Sequence, residues 1–212
     1  GGTNFTYWPT LRSTGVELRT ECRVREILVD EKTGLATGAI YHGSDGQVYE
    51  QKAEMVIVAC NGVGTPRLLL NSKSKSFPNG LANRSGLVGK NLMFHPLTGI
   101  AGVFSEPMLG HEGPMACSIL SQEFYETDTS RNFVRGYGLY SGRSTTPMTY
   151  ALGGYGIDNP IPWGKEHRKI MDTIYPYLAG LTVVTEDLPE ESNCVTLDPN
   201  LTDSDGVPAP KI

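Results

Sequence analysis

The hydrophobic pattern of the chain begins with three short alternating segments separated by tight turns. Residues 16–29 alternate apolar and polar positions and close on Ile27-Leu28-Val29, which predicts a half-buried strand. Residues 35–41 and 47–53 have a similar texture, and turns rich in Gly and Asp separate the three segments. Short strands joined in this way predict an antiparallel meander.

A continuous apolar run follows the meander. Met55–Cys60 reads MVIVAC, which is typical of a strand buried on both faces in a parallel sheet. Gly62 and Gly64 then allow a tight turn and a close approach of the backbone to a ligand or a neighbouring segment. Thr65 as a cap and Pro66 as the first helical residue predict a helix start.

A strand, a glycine turn and a helix start in this order occupy the place where α/β folds hold nucleotides. The pattern here is G-x-G-x-x-R, so the third glycine of the dinucleotide fingerprint is absent. A purely structural turn between strand and helix is therefore an equal alternative on this pattern alone.

Beyond Pro96 the texture changes to longer segments rich in Gly, Thr and Tyr. Residues 97–105 and 133–153 alternate weakly and predict strands of a second sheet. Residues 163–178 have helical spacing of their apolar positions, and residues 178–189 predict a further buried strand.

Composition narrows the classes of function. The 212 residues are 39% hydrophobic and 19% charged, as in an ordinary globular protein. A net charge of −5 without a Lys/Arg cluster argues against a nucleic-acid partner, and no apolar run approaches the length of a transmembrane segment. These totals leave the localisation open.

Cysteine and carboxylate positions predict no metal site. The cysteines are too far apart for a C-x-x-C motif, and Cys60, which ends an apolar run, is predicted to be a small buried side chain. The pair His111-Glu112 and the turn Asp203–Gly206 each offer too few ligands. The cysteines are Cys22, Cys60, Cys117 and Cys194.

Tyrosines and one histidine are candidates for binding a small molecule. Tyr137, Tyr140 and Tyr155 either stack on a sugar or are ordinary strand aromatics, and the second role is the default. His95, between an apolar stretch and Pro96, is favoured as a packed, hydrogen-bonded histidine over a catalytic base.

Four blocks, taken in order, carry a family resemblance. They are residues 6–27 (TYWPTLRSTGVELRTECRVREI), 56–72 (VIVACNGVGTPRLLLNS), 86–96 (GLVGKNLMFHP) and 186–212. In order and spacing they resemble the glucose–methanol–choline (GMC) oxidoreductases, a flavoprotein family. The last block most resembles the branch that acts on sugars and sugar acids.

The resemblance implies a mixed α/β and α+β fold with two parts. Residues 1–95 would be part of a Rossmann-like FAD-binding domain made of the meander and the parallel strand. Residues 96–212 would be part of an antiparallel-sheet substrate-binding domain. The implied cofactor is FAD.

The family pattern also implies seven cofactor-binding positions. Val24 falls where family members address the adenine with strand backbone, and the turn Ala59–Gly62 falls where their backbone packs against the cofactor. Asn91 and His95 fall where the chain leaves the FAD domain near the flavin. The seven positions are Val24, Ala59, Cys60, Asn61, Gly62, Asn91 and His95.

The family's G-x-G-x-x-G unit and its C-terminal catalytic histidine have no counterpart in these residues, so no catalytic residue is assigned. We expect a portion of an FAD-dependent oxidoreductase that oxidises an alcohol group of a sugar, sugar acid or polyol by hydride transfer to flavin. The alternative is a truncated homologue that binds a ligand or partner without redox chemistry.

The expected partners are a small alcohol or sugar and the remaining segments of the enzyme, in the same polypeptide or in a companion chain. Without those segments, the strand at residues 55–60 would expose an apolar edge. We therefore expect the isolated chain to be inactive and to be stable only with its missing parts.

Overall fold

The structure is a computed structural model that describes residues 2–112, 119–142, 146–152 and 161–212. Tyr155 and Cys117 lie outside the described residues. The chain divides into two compact units. The first comprises Gly1–Leu92 and Pro189–Ile212, and the second comprises Met93–Leu188.

In the described ranges, helices and strands are short. The helices are α1 (Thr3–Thr6), α2 (Trp8–Ser13), α3 (Asn61–Asn71), α4 (Pro147–Ala151) and α5 (Lys165–Thr173). The strands are β1 (Arg23–Val29), β2 (Ala36–His42), β3 (Val48–Lys52), β4 (Leu97–Val103), β5 (Ile119–Ser121), β6 (Tyr137–Gly142), β7 (Leu178–Thr185), β8 (Thr196–Thr202) and β9 (Pro208–Lys211). None of these helices is long and apolar enough to cross a lipid bilayer.

The predicted meander is confirmed in the first unit, although its first strand begins at Arg23 and residues 16–22 form no strand. Strands β1, β2 and β3 pair antiparallel in sequence order. Helix α3 packs against β1 through its C-terminal end, where Ser72 Oγ accepts a hydrogen bond from Ile27 N at 2.9 Å and Asn71 Nδ2 donates to Arg25 O at 2.7 Å. Ile27 and Ser72 are both buried, so this contact joins helix and sheet at a water-excluded point.

The predicted buried parallel strand at Met55–Cys60 is wrong for this structure. These residues form no strand, and the side chains of Met55 and Ile57 are 76% and 83% exposed. Cys60 is exposed as well, against the expectation of a buried side chain. A strand covered on both faces needs neighbouring strands, and the described residues provide none here. Their three sheets are antiparallel, so the Rossmann-like detail is not confirmed.

The carboxylate of Asp203 ties the β8–β9 hairpin to the rest of the first unit. Its Oδ2 atom lies 2.7 Å from Arg67 Nη2 on α3 and 2.9 Å from Arg23 Nη1 on β1. Its Oδ1 atom accepts hydrogen bonds from the amides of Asp205 (2.9 Å) and Val207 (3.1 Å). One side chain therefore connects a hairpin, a helix and a sheet.

These contacts determine the ionisation of Asp203. Partial burial disfavours the charged form, but the hydrogen bonds from Arg67, from the amides of Val207 and Asp205 and from Arg23 outweigh burial and hold the pKa of Asp203 well below its usual range. The carboxylate therefore stays charged at and above the pH at which an ordinary aspartate titrates.

A second set of contacts fastens the segment before the hairpin to the loop at residues 86–92. Val195 N donates to Gly89 O at 2.7 Å, and Leu92 N donates to Asn193 O at 2.8 Å. A Cβ atom at Gly89 would overlap the carbonyl oxygen of Val195. Residues 189–212 therefore pack with the first unit, whereas the sequence analysis grouped them with residues 96–212.

The predicted second antiparallel sheet is confirmed in the second unit. Its strands pair in the order β4-β7-β6-β5. The long segment predicted at residues 133–153 divides into strand β6 and helix α4, because the N-cap Thr146 accepts from Thr149 N at 3.0 Å and starts a helix. Tyr150, Ile161 and Tyr175 form the buried core of this unit.

We expect Asp203→Asn to lower the free energy of unfolding by about 2–4 kcal/mol, because Arg67 loses its carboxylate and Arg23 keeps only the more distant carboxylate of Asp205. Denaturant unfolding followed by circular dichroism measures this loss. The matched control is Asp205→Asn in the same turn, since the Asp205 carboxylate lies farther from Arg23, at 3.3 Å, and should cost less than about 1 kcal/mol. Equal losses in both variants would contradict the central role of Asp203.

The same carboxylate gives stability a pH dependence of defined sign. Because its folded pKa lies below the unfolded value, the stabilisation is complete above the unfolded pKa of about 4 and is lost as the pH falls through the folded pKa. The stability difference between wild type and Asp203→Asn should stay constant from about pH 8 to pH 6 and shrink below about pH 4. Unfolding free energies measured across this range test it, and a difference that grows on acidification would refute it.

Candidate functional site

The turn that precedes helix α3 is built around Asn61. Its backbone is in the left-handed region (φ 65°), and its Oδ1 atom accepts hydrogen bonds from Val63 N (2.9 Å) and Gly64 N (3.0 Å). Cys60 N in turn donates to Thr65 Oγ1 at 3.1 Å. The helix therefore starts earlier than the predicted Thr65-Pro66 start, because asparagine both tolerates this conformation and caps the first turn.

This cap decides which ligand groups the turn can hold. The Val63 and Gly64 amides are satisfied by Asn61, so they are not available to a phosphate group. By contrast, a Cβ atom added at Gly62 would meet no atom within 4 Å, and Ala59 and Cys60 are exposed. The turn therefore has room for a ligand to approach its backbone, but these two amides do not provide a phosphate-binding site.

Val24 and Asn91 lie elsewhere in the first unit. Val24 pairs with Tyr41 in the meander, next to a register shift in β1, and its side chain is exposed. The ion pairs of Asp203 link its neighbour Arg23 to Arg67 on the helix that carries the turn. Asn91 has left-handed backbone (φ 58°) in the loop fastened to Asn193.

The second unit contains a cleft of about 270 Å³ at one end of its sheet. His95 lies on it, together with two of the tyrosines singled out by the sequence. The cleft is lined by His95, Leu120, Gln122, Tyr125, Gly136, Tyr137, Gly138, Tyr140, Val184, Thr185 and Glu186.

Strand register defines the floor of this cleft. Tyr140 on β6 lies opposite Leu120 on β5, and Gly138 lies opposite Val184 on β7. Directly paired residues share a face of the sheet, as do residues two apart on one strand. Leu120, Gly138, Tyr140 and Val184 therefore form one largely apolar floor.

Polar groups surround this floor. His95 Nδ1 lies 3.3 Å from the carbonyl oxygen of Thr185. When Nδ1 carries the proton and donates to this carbonyl, Nε2 is the acceptor nitrogen of the ring. Glu186, at the rim, faces Arg135 Nη1 at 3.9 Å. An apolar floor with hydroxyl, amide, imidazole and carboxylate groups around it suits a small molecule with several hydroxyl groups.

The two tyrosines differ in what their rings do. Tyr137 stacks on Phe124 with ring centroids 5.0 Å apart and planes at 15°, so it is an ordinary packing aromatic as well as a lining residue. Tyr140 belongs to the floor of the cleft. Of these two described tyrosines, Tyr140 therefore has the position expected of a ring that stacks on a ligand.

The described residues contain no group of three or more His, Cys, Asp or Glu side chains placed to hold a metal ion. Asp203 is committed to two arginines. His111 packs against Tyr175 with ring centroids 5.2 Å apart. Asp203 and His111, which belong to the two partial metal motifs in the sequence, therefore both make contacts with other side chains of the protein.

Comparison with known proteins places these units in a family. Residues 2–97, which contain the meander and the Asn61 turn, match the family model described as GMC oxidoreductase. The chain belongs to the GMC oxidoreductase family. This confirms the resemblance, and the matched residues contain three of its four blocks.

Relatives extend the match beyond the meander. A 2-methyl-1,2-propanediol dehydrogenase from Mycolicibacterium austroafricanum is 44% identical over 209 residues, which is 98% of this chain and 37% of the relative. The fructose dehydrogenase large subunit of Gluconobacter japonicus is 27% identical over 83% of this chain and 31% of its own length. Paromamine 6'-oxidase of Streptomyces fradiae is 25% identical over 52% of this chain and 22% of its own length. This GMC chain therefore spans well under half the length of these relatives.

Most residues of the cleft in this GMC chain carry no recognisable signal in the sequence. Gln122 and Tyr125 follow the short strand β5, and Thr185 ends β7, so they meet only through strand pairing across the sheet. The single local signal was the alternation of Gly and Tyr at residues 136–140. That signal identifies a strand but does not show which residues lie across from it.

We expect Asn61→Ala to destabilise the first unit by about 1–2 kcal/mol, because it removes the cap and because alanine, unlike asparagine, has no polar side chain to stabilise left-handed backbone. Asn61→Asp is the matched control, since its carboxylate caps the same two amides. Thermal unfolding of the two variants compares them. A loss in Asn61→Asp as large as in Asn61→Ala would show that the cap is not what stabilises this turn.

Proposed function

We propose that this chain is part of an FAD-dependent oxidoreductase that oxidises an alcohol group of a small polyol or sugar. The observation that carries the proposal is the alignment of 98% of the chain with a relative named as a diol dehydrogenase. The cleft in the second unit supports it, because its apolar floor and polar rim suit a compact molecule with several hydroxyl groups. The relatives' names include both dehydrogenases and oxidases, so the electron acceptor is not part of the proposal.

The turn before α3 fits one part of FAD and not another. Open backbone at Gly62 and exposed residues at Ala59 and Cys60 allow a flat ring system to approach closely. The amides that would receive a pyrophosphate are capped by Asn61. Val24 and Asn91 stay predicted cofactor contacts. His95 also stays a predicted cofactor contact, and it lies in addition on the cleft proposed for the alcohol. FAD, when bound, supplies the acceptor for the hydride that leaves the alcohol carbon.

The residues of the cleft bind and orient the alcohol in this proposal. His95 Nε2 accepts a hydrogen bond from a substrate hydroxyl while Nδ1 donates to Thr185 O, and the Tyr140 ring lies against the carbon skeleton. Gln122 and Glu186 provide further partners for hydroxyl groups. No catalytic base is assigned among these groups.

Exposed apolar side chains support the expected partners. Met55 and Ile57 in the first unit, and Leu97 and Ile100 on β4 in the second, are each more than half exposed. Strand β4 also forms one edge of its sheet. Open edges and bare apolar runs favour pairing with further polypeptide. We propose that other segments of the enzyme, in the same polypeptide or a companion chain, cover these surfaces.

The alternative is a ligand- or partner-binding module without redox chemistry. The capped amides at the start of α3 favour it, because they leave this turn without a phosphate site. Intact mass and visible absorbance of the purified protein separate the two functions. A flavin spectrum, followed by bleaching on addition of a diol or polyol, supports the oxidoreductase. A colourless protein that also retains no added FAD favours the binding module.

We expect Gly62→Leu to reduce FAD retention about tenfold or more, because the side chain occupies the open side of the turn. Its stability should stay equal or rise by about 0.4–1 kcal/mol, since Gly62 is helical and does not need positive φ. The ratio of flavin to protein absorbance after desalting measures retention. Gly142→Leu, which also points into open space in the described structure, is the control and should retain FAD as wild type does. Unchanged retention in Gly62→Leu would contradict the proposed contact.

A further inference from the structure

Gly138 lies at a strand position whose backbone conformation any residue could adopt. It lies inside β6, and its φ is not positive. Glycine weakens the interior of a strand, so its presence there marks a bulge or a close approach of a neighbour or ligand. β6 pairs with β7 in unbroken register through Gly138, which leaves the close approach as the explanation.

The atoms around Gly138 identify what approaches it. A Cβ atom at this position would lie 3.3 Å from Tyr140 Cε2 and 3.9 Å from Leu120 Cδ1. Both are ends of side chains on the floor of the cleft. Gly136 is different, because a Cβ atom there would overlap the backbone carbonyl of Tyr125. Gly136 is thus required by its backbone neighbour, whereas Gly138 keeps space between side chains of the cleft.

We infer that Gly138 is a specificity-determining residue whose missing side chain sets the size of the alcohol that the cleft admits. The inference rests on the proposed function, because it takes the cleft as the site of the alcohol. A methyl group at residue 138 would stand on the floor next to Tyr140. This methyl group would make the cleft too small for an alcohol with a long carbon chain before it affected a two- or three-carbon diol.

The experiment measures binding of a graded series of probes to the full-length enzyme that contains this chain, because the isolated chain is expected to be stable only with its missing parts. The probes are 1,2-propanediol, glycerol, xylitol and sorbitol, and ligand-observed NMR gives a Kd for each. The readout is the ratio of the Kd of sorbitol to that of 1,2-propanediol. Gly138→Ala is expected to raise this ratio about tenfold, the lower end of what one methylene is worth in a pocket. Tyr140→Ala widens the floor and is expected to lower it.

Gly142→Ala is the matched control. Gly142 lies on the same strand and face, four residues on, and an added Cβ there meets nothing within 4 Å in the described part of the chain. It should leave the ratio unchanged. Circular dichroism checks that all variants are folded, and the opposite change expected for Tyr140→Ala keeps the test decisive if Gly138→Ala does not fold.

The possible outcomes separate the two proposals. A ratio raised in Gly138→Ala, lowered in Tyr140→Ala and unchanged in Gly142→Ala supports the inference. Polyol binding with the same ratio in wild type, Gly138→Ala and Tyr140→Ala overturns the inference and leaves the proposed function standing. Absence of polyol binding in folded wild type overturns the cleft as the alcohol site, and the inference with it.

Discussion

The first unit depends on one carboxylate that three elements share. Asp203 lies in the turn of a two-stranded hairpin, which has little stability alone, and it is bound by Arg67 from the helix and Arg23 from the meander. Each arginine contributes charge to a group that is mostly removed from water, where an ion pair with well-placed hydrogen bonds is strongest. The two amides on the other oxygen fix its direction. Removing this carboxylate would leave Arg67 with only the backbone carbonyls of Val207 and Pro208 and Arg23 with only the carboxylate of Asp205.

Local patterns predicted those parts of the fold whose stabilising contacts are local. The meander strands meet their partners across tight turns, so alternation and turn residues were sufficient. The run Met55–Cys60 has the composition of a buried strand. A strand forms, however, only where neighbouring strands accept and donate its backbone hydrogen bonds and cover its side chains. The placement of residues 189–212 depends on Arg67 and Asp203, which lie far apart in sequence. Periodicity carries no information about such a pair.

The candidate site shows the same limit at the level of single residues. The GMC resemblance pointed to the Asn61 turn. In the structure, the asparagine side chain already accepts the hydrogen bonds of two amides in the first helical turn. His95 and Tyr140 were each considered from the sequence, but for separate reasons. Antiparallel pairing of β4 with β7, and of β7 with β6, brings them to one cleft. Register was the missing information, since a shift of one residue would turn Tyr140 to the opposite face.

Glycines in this chain are informative only when their neighbours are known. Gly89 and Gly136 are each pressed against a backbone carbonyl, and any side chain there would displace a neighbouring segment. Gly138 meets only the ends of two side chains, and nothing in its backbone conformation calls for glycine. Glycine therefore accommodates a backbone neighbour at the first two positions and side chains of the cleft at the third. Glycine inside a strand costs stability, and under the inference drawn for Gly138 the alcohol admitted to the cleft offsets that cost.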